Sequence, residues 1–367
     1  MKLPTFEDLS YEQDEVYNLP LDGNHVVTGA PGTGKSVMAL YRAQALEIDE
    51  RRPTVIMFSN VLKQYTEDAA SELKLEGQIS TFHGWLNSFW REHYRRSAPS
   101  LPSGRFDINW PEVIAQFASD PPSPGSLNDL LVDEGQDLSP EFFGLARWIC
   151  RNITVFADEN QQLTEEQCTI ENIRRAINTK SVHTLTRNYR NTHEIARLAN
   201  QFYVGSPSGI PELPTRHGDR PTLTNYSDLD GVVDRISKYA RAHSDHTIGV
   251  ACQFTSQQKR LLNKLKAKRL PVPVSTYISS DKSSKTMNFD SPGIKIINYM
   301  SIKGLEFDAL FVPELESVTK DASSAGVRMT FYVVSSRARR ELHLSWCGDG
   351  PEPDIVAKIE TDILERR

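Results

Sequence analysis

The sequence lacks most of what marks a membrane, secreted or metal-bound chain. No apolar run approaches the roughly 18 residues that a bilayer span requires, so no membrane partner is expected. Cysteine is scarce. The four residues Cys150, Cys168, Cys252 and Cys347 lie far apart and form no CxxC pair, which removes the usual basis for a zinc or redox motif. Reduced thiols in a cytoplasmic protein fit this usage. The opening stretch MKLPTFEDLSYEQDE is acidic and polar, unlike a secretory leader. An excess of positive charge is also missing. With 48 Asp and Glu against 42 Lys and Arg the net charge is −6. Bulk charge therefore does not make this a protein that coats nucleic acid, and any such contact is expected along a local groove. No internal repeat is found.

What is present is an alternation of short apolar runs and helical patterns. His25–Ala30, Thr54–Ser59, Leu130–Glu134 and Ile153–Asp158 read as buried strands. The segments between them are long enough for crossover helices, which predicts a parallel sheet with helices on both faces. A second set follows at Val182–Thr186, Thr247–Cys252, Ile294–Met300, Ala309–Leu315 and Glu341–Trp346. The expected fold class is α/β, in two domains, each a mainly parallel sheet flanked by helices. The division is placed at residues 1–175 and 176–367. Pro- and Gly-rich loops are expected at Ser97–Asp107, Ser119–Asp129 and Val204–Pro221. The basic run Lys259–Arg269 reads as a solvated helix face with Leu261, Leu262 and Leu265 turned inward, with contact to phosphates as the other reading.

The first chemistry lies at Gly29-x-x-x-x-Gly34-Lys35-Ser36, after a predicted strand and before a helical run. This is the P-loop pattern. Glycines let the backbone wrap phosphates with its N–H groups, and the helix N-terminus adds positive potential. Gly29, Gly32, Thr33 and Gly34 would form the cradle, Lys35 would reach the β- and γ-phosphates, and Ser36 would hold Mg²⁺. A P-loop alone only binds. The stretch LLVDEGQD adds two carboxylates at the end of a buried strand, Asp133 and Glu134. Asp133 would hold Mg²⁺, and Glu134 would act as general base toward water. A kinase of small molecules needs no such base, so the pair reads as an NTPase.

Taken together these motifs resemble superfamily 1 helicases of the UvrD/Rep/PcrA branch, from about Leu9 to Leu344. The resemblance implies RecA-like domains, ATP and Mg²⁺ as cofactors, and single-stranded DNA as partner. LSYEQDEVY is similar to the Q motif, so Gln13 would read the adenine. VFADENQQL resembles motif III, with Gln161 sensing the γ-phosphate. LTRNYRNTHEIARLAN resembles motif IV, where Tyr189 would stack on the base and Arg190 touch the γ-phosphate. INYMSIKGLEFDALFV resembles motif V, with Gly304 in a turn and Glu306 near the ribose. FYVVSSRARREL resembles motif VI, and Arg337 would be a second arginine finger. FSN and STFHGWL resemble motifs Ia and Ib. Asn60, Thr81 and His83 would bond phosphates and Phe82 would support a base, with core packing as the other reading of Phe82 and Trp85.

The chain departs from the family in three places. QQLTEEQCTI follows motif III without the usual gripping aromatics. Asn298 and Met300 stand where motif V carries Thr and His. The 1B insertion is reduced to about residues 87–126, and 2B is nearly absent near 278–292. The leading expectation is a DNA helicase, translocase or helicase subunit. The alternative is a nucleotide-controlled ATPase switch acting on a partner protein, such as a nuclease in a repair or antiviral defence complex of the Gabija type.

Overall fold

The computed structural model describes residues 3–58, 60–75, 78–103, 107–158, 168–205, 210–278 and 287–367. The chain divides into two compact units, one of residues 1–29 and 34–186, the other of 30–33 and 187–367. Each is a parallel sheet flanked by helices, as the alternation of strand and helix patterns predicts.

The first unit runs α1 (Tyr11–Tyr17), β1 (Asn24–Gly29), α2 (Lys35–Ile48), β2 (Thr54–Met57), α3 (Asn60–Glu72), β3 (Ile79–Thr81), α4 (Phe82–Tyr94), α5 (Trp110–Ser119), β4 (Leu127–Val132), α6 (Pro140–Ile149), β5 (Cys150–Ala157), α7 (Ile170–Ala176) and β6 (Val182–Leu185). Its sheet has the order β3-β2-β4-β5-β1-β6. Flanking helices leave the inner strands β1, β2, β4 and β5 mostly buried, so they read as largely apolar runs. Val26, Ile56, Leu130, Val132 and Val155 pack there against the aromatics of α4 and α6. Ser10, Thr81, Asn109, Ser139 and Thr169 cap α1, α4, α5, α6 and α7, each accepting a first-turn N–H.

Two expectations change here. Val182–Leu185 was expected to open the second sheet, but it pairs with β1 in the first, Val26 opposite Val182. The division consequently falls after Thr186 rather than at 175. The polar stretch after β5 has the composition of a linker, yet α7 returns beyond it with Ile173 and Ile177 buried in the first core. Among the described residues of 87–126, Trp90, Ala98, Ile108 and Val113 join the same core.

The second unit runs α8 (His193–Asn200), β7 (Thr222–Tyr226), α9 (Leu229–Ala242), β8 (Thr247–Cys252), α10 (Thr255–Ala267), β9 (Val274–Thr276), β10 (Gly293–Asn298), β11 (Phe307–Val312), α11 (Ala325–Ser335), β12 (Ala338–Cys347), α12 (Asp354–Ala357) and β13 (Glu365–Arg366). The sheet order is β13-β7-β12-β11-β8-β10-β9. Of the expected 2B remnant, residues 279–286 lie outside the described residues. On α10 Leu261 and Leu265 are buried, and Lys264 and Lys268 pair with Asp230 and Asp234 at 2.6 and 2.5 Å. The basic run is thus a salt-bridged helix face. Among the described residues no helix is long and apolar enough to cross a membrane.

Candidate nucleotide site

The site grows from the C-terminal ends of three adjacent strands, β4, β5 and β1, where ligands bind in open parallel sheets. After β1 the backbone turns through Gly32 and Gly34, at φ +85° and +91°. These left-handed values are open to glycine at little cost. A Cβ on Gly34 would also stand 2.6 Å from Nε2 of Gln13, so the Gln13 amide lies directly on the cradle. Gln13 is held there by a capping box with Ser10, its Oε1 accepting the Ser10 N–H at 3.1 Å.

α2 begins at Lys35. Its ammonium donates to the Gly29 carbonyl at 2.6 Å and lies 3.5 Å from Asp158. Ser36 Oγ donates to Asp133 Oδ2 at 2.6 Å, so residues 97 positions apart in the chain meet. Glu134 adopts φ +55°, a conformation uncommon outside glycine. Its carboxylate accepts from Gln136 Nε2 at 2.6 Å, and Gln136 Oε1 accepts the Asp158 N–H at 2.9 Å. Gln136 thereby ties the ends of β4 and β5 together.

Burial pushes the Asp133 carboxyl up from its ordinary range, and the neighbouring Glu134 charge pushes it further. Donation by Ser36 and the charge of Lys35 oppose the rise. Two buried carboxyls side by side favour a cation. Ser36 and Asp133 are hard oxygen donors brought together, the chemistry that Mg²⁺ takes, so the residues present fit that ion.

In the second unit the Gly32 carbonyl accepts the Tyr189 N–H at 2.9 Å, and Thr33 Oγ1 donates to the Ala30 carbonyl at 2.9 Å. The Tyr189 side chain is exposed. Arg190 does not stand alone. Its Nε lies 3.0 Å from Glu306, the residue expected near a ribose, and its buried NH1 has no hydrogen-bond partner among the described residues. Gly304 turns at φ +81°. Arg337 is 1% exposed and donates from Nε to the Val333 carbonyl at 3.0 Å. Asn191 donates to the carbonyls of Ser336 and Ala338, at 3.0 and 2.6 Å, on either side of Arg337. It locks the Arg190 turn to the Arg337 turn.

The nucleic-acid candidates fare differently. Phe82 is buried, with its ring edge-on to Phe142 at 5.3 Å, so it belongs to the core and offers no face to a base. The first unit packs α4 through this ring, and Trp85 follows it inward. Thr81 caps α4, accepting the Gly84 N–H at 3.2 Å. His83 packs against the Phe82 ring at 4.7 Å. Gln161 and the side chain of Asn60 lie outside the described residues.

Sequence reading missed Gln136, Asp158 and Asn191. Only Asp158 left a signal, as an acid closing a predicted strand. It also missed Phe254 and took Met300 only as a departure from motif V; these large apolar side chains are 49% and 60% exposed. Cys252 and Asn298 are register partners at the ends of β8 and β10, so both exposed residues follow the same edge of the second sheet.

A model of the AAA domain family matches residues 15–166, less than half of the chain. No curated protein matches. Among solved structures, the C-terminal domain of a possible DNA helicase from Lactobacillus plantarum WCFS1 is similar at 21% identity and a TM-score of 0.37, covering 48% of this chain and 98% of that one. A likeness this weak says nothing about activity. The first unit is therefore similar to AAA domains, with a P-loop of the nucleotide-binding kind.

Proposed function

We propose that this protein hydrolyses ATP with Mg²⁺ and couples the cycle to single-stranded DNA, as a UvrD-like translocase, helicase or helicase subunit. The observation that carries the ATPase reading is the convergence of Lys35, Ser36, Asp133, Glu134 and Asp158 at one sheet edge. Lys35 binds the terminal phosphates, exchanging the Gly29 carbonyl for phosphate oxygens. Ser36 and Asp133 hold Mg²⁺, which would neutralise phosphate charge when bound. Glu134, oriented by Gln136, accepts a proton from water. Gln13 reads the adenine. The motif resemblance assigns Tyr189 a stacking role and Arg190 and Arg337 the role of arginine fingers, and Arg190 brings an NH1 with no partner among the described residues. Coupling to DNA rests on the order of the helicase-like motifs across the chain.

One observation favours the second reading, a nucleotide-controlled switch on a protein partner. Phe82 is spent on the core and Thr81 on a helix cap, which weakens the expected grip on bases in the first unit. The exposed pair Phe254 and Met300 is the better candidate for that grip.

The test is steady-state ATP hydrolysis with and without single-stranded DNA. Stimulation that fades with added salt supports the motor. Phe254→Ala should then raise the DNA concentration for half-stimulation by about 5- to 150-fold, as loss of one stacking contact predicts, with the DNA-free rate unchanged. A rate indifferent to DNA and RNA sinks the motor reading and leaves the switch.

A further inference from the structure

The second unit contains a cavity of about 240 Å³ that the nucleotide chemistry does not use. Its walls are β7, β12 and α9. In these parallel strands His343 stands opposite Thr222, Ser345 opposite Thr224 and Cys347 opposite Tyr226, so these side chains share one sheet face. A sheet face under a helix is normally apolar. Here Thr222, Thr224, Tyr226, His343 and Ser345 all line the cavity, beside the apolar Val232 and Phe311.

Some of this polarity is already satisfied. Thr222 Oγ1 and His343 Nδ1 are 2.9 Å apart. His343 Nε2 faces Glu341 at 3.2 Å. The remainder is not. The Ser345 hydroxyl, on a residue 7% exposed, has no hydrogen-bond partner among the described residues. The half-buried Arg235 has no carboxylate partner among them. Its charge is felt across the cavity, since it opposes the rise that burial imposes on the Tyr226 phenol. Arg367 closes the rim, with its own charge held by Glu365 at 2.9 Å.

We infer that this cavity is a binding site for a small oxyanion, a phosphate- or carboxylate-bearing metabolite. Arg235 is its charged anchor, with Ser345, Thr224 and Tyr226 as neutral partners. The volume is below that of drug-sized pockets and equals the liquid share of about eight waters. A molecule of a few heavy atoms fits, whereas a nucleoside triphosphate does not. The site is independent of the P-loop in residues and in chemistry.

The experiment is isothermal titration of the full chain with inorganic phosphate and, separately, malonate. The P-loop can also bind phosphate, so each titration is repeated on Lys35→Ala. The expected result is that at least one anion binds, that binding survives in Lys35→Ala, and that it weakens by about ten-fold or more in Arg235→Gln, the loss of a charge-assisted hydrogen bond. Arg235→Lys should retain part of the affinity, which separates lost charge from a damaged fold, and Ser345→Ala should weaken binding by less than Arg235→Gln. Titration heat that disappears in Lys35→Ala overturns the proposal, as does equal affinity in Arg235→Gln, or no heat from either anion.

Discussion

Replacing Glu134 by glutamine should slow ATP hydrolysis by about 10²- to 10⁴-fold, the usual contribution of a positioned general base, while nucleotide binding stays. The substitution is nearly isosteric. Glu134 accepts from Gln136 Nε2 at 2.6 Å, and the amide oxygen of a glutamine can accept the same bond. Lys35, Ser36 and Asp133 keep their partners. Removing one of the two adjacent carboxyls also relieves part of the electrostatic pressure on Asp133, so affinity should hold or rise. The measurement is turnover beside equilibrium binding of a fluorescent ATP analogue. Turnover within a few-fold of the natural protein would falsify the role given to Glu134, whereas joint loss of binding would point to a disturbed cradle instead.

The second large effect concerns stability. Phe142→Ala should cost about 3–5 kcal/mol in the first unit, as for other large aromatics removed from a core. Phe142 is fully buried, and its ring meets Phe82 at 5.3 Å, Trp85 at 5.6 Å and Phe143 at 5.2 Å. The cavity left behind would lie between α4 and α6, where three aromatic neighbours cannot collapse without leaving their own contacts. Trp85, Trp90, Trp110 and Trp148 all lie in the first unit and only Trp346 in the second. Tryptophan fluorescence during urea unfolding therefore reports mainly on the affected unit. A loss of less than about 1 kcal/mol would mean that α4 repacks freely, and the assignment of Phe82 to the core would lose its main support.

The strands and the cradle were legible because their causes are local. A strand buried on both faces must be largely apolar, and LLV before Asp133 or VV before Thr28 says so in two or three letters. The P-loop spacing is fixed by phosphate geometry, and the left-handed turns at Gly32 and Gly34 require their residue type. The rest depends on partners that spacing does not reveal. Gln136 meets Asp158 over 22 positions and Arg190 meets Glu306 over 116, and no pattern in either segment announces its mate. Phe82 failed for a different reason. An aromatic at the start of an amphipathic helix has the same letters whether it faces a base or a core, and only the ring of Phe142 decides. β6 shows the same limit at larger scale, since four residues of strand pattern do not name the sheet they will join.

That last placement bears on how the chain can be divided. β6 covers the outer side of β1, the strand that leads straight into the phosphate cradle. A fragment cut at 175 would strip that cover and present the backbone of β1 as a bare edge, open to pairing with another molecule. A fragment carried through Thr186 keeps the edge closed. It also keeps Glu12 on the Thr186 backbone N–H at 2.8 Å, next to the glutamine that rests on Gly34. The segment that looks like the start of the next domain is the guard strand of the first, and separating the two units cleanly means leaving it with β1.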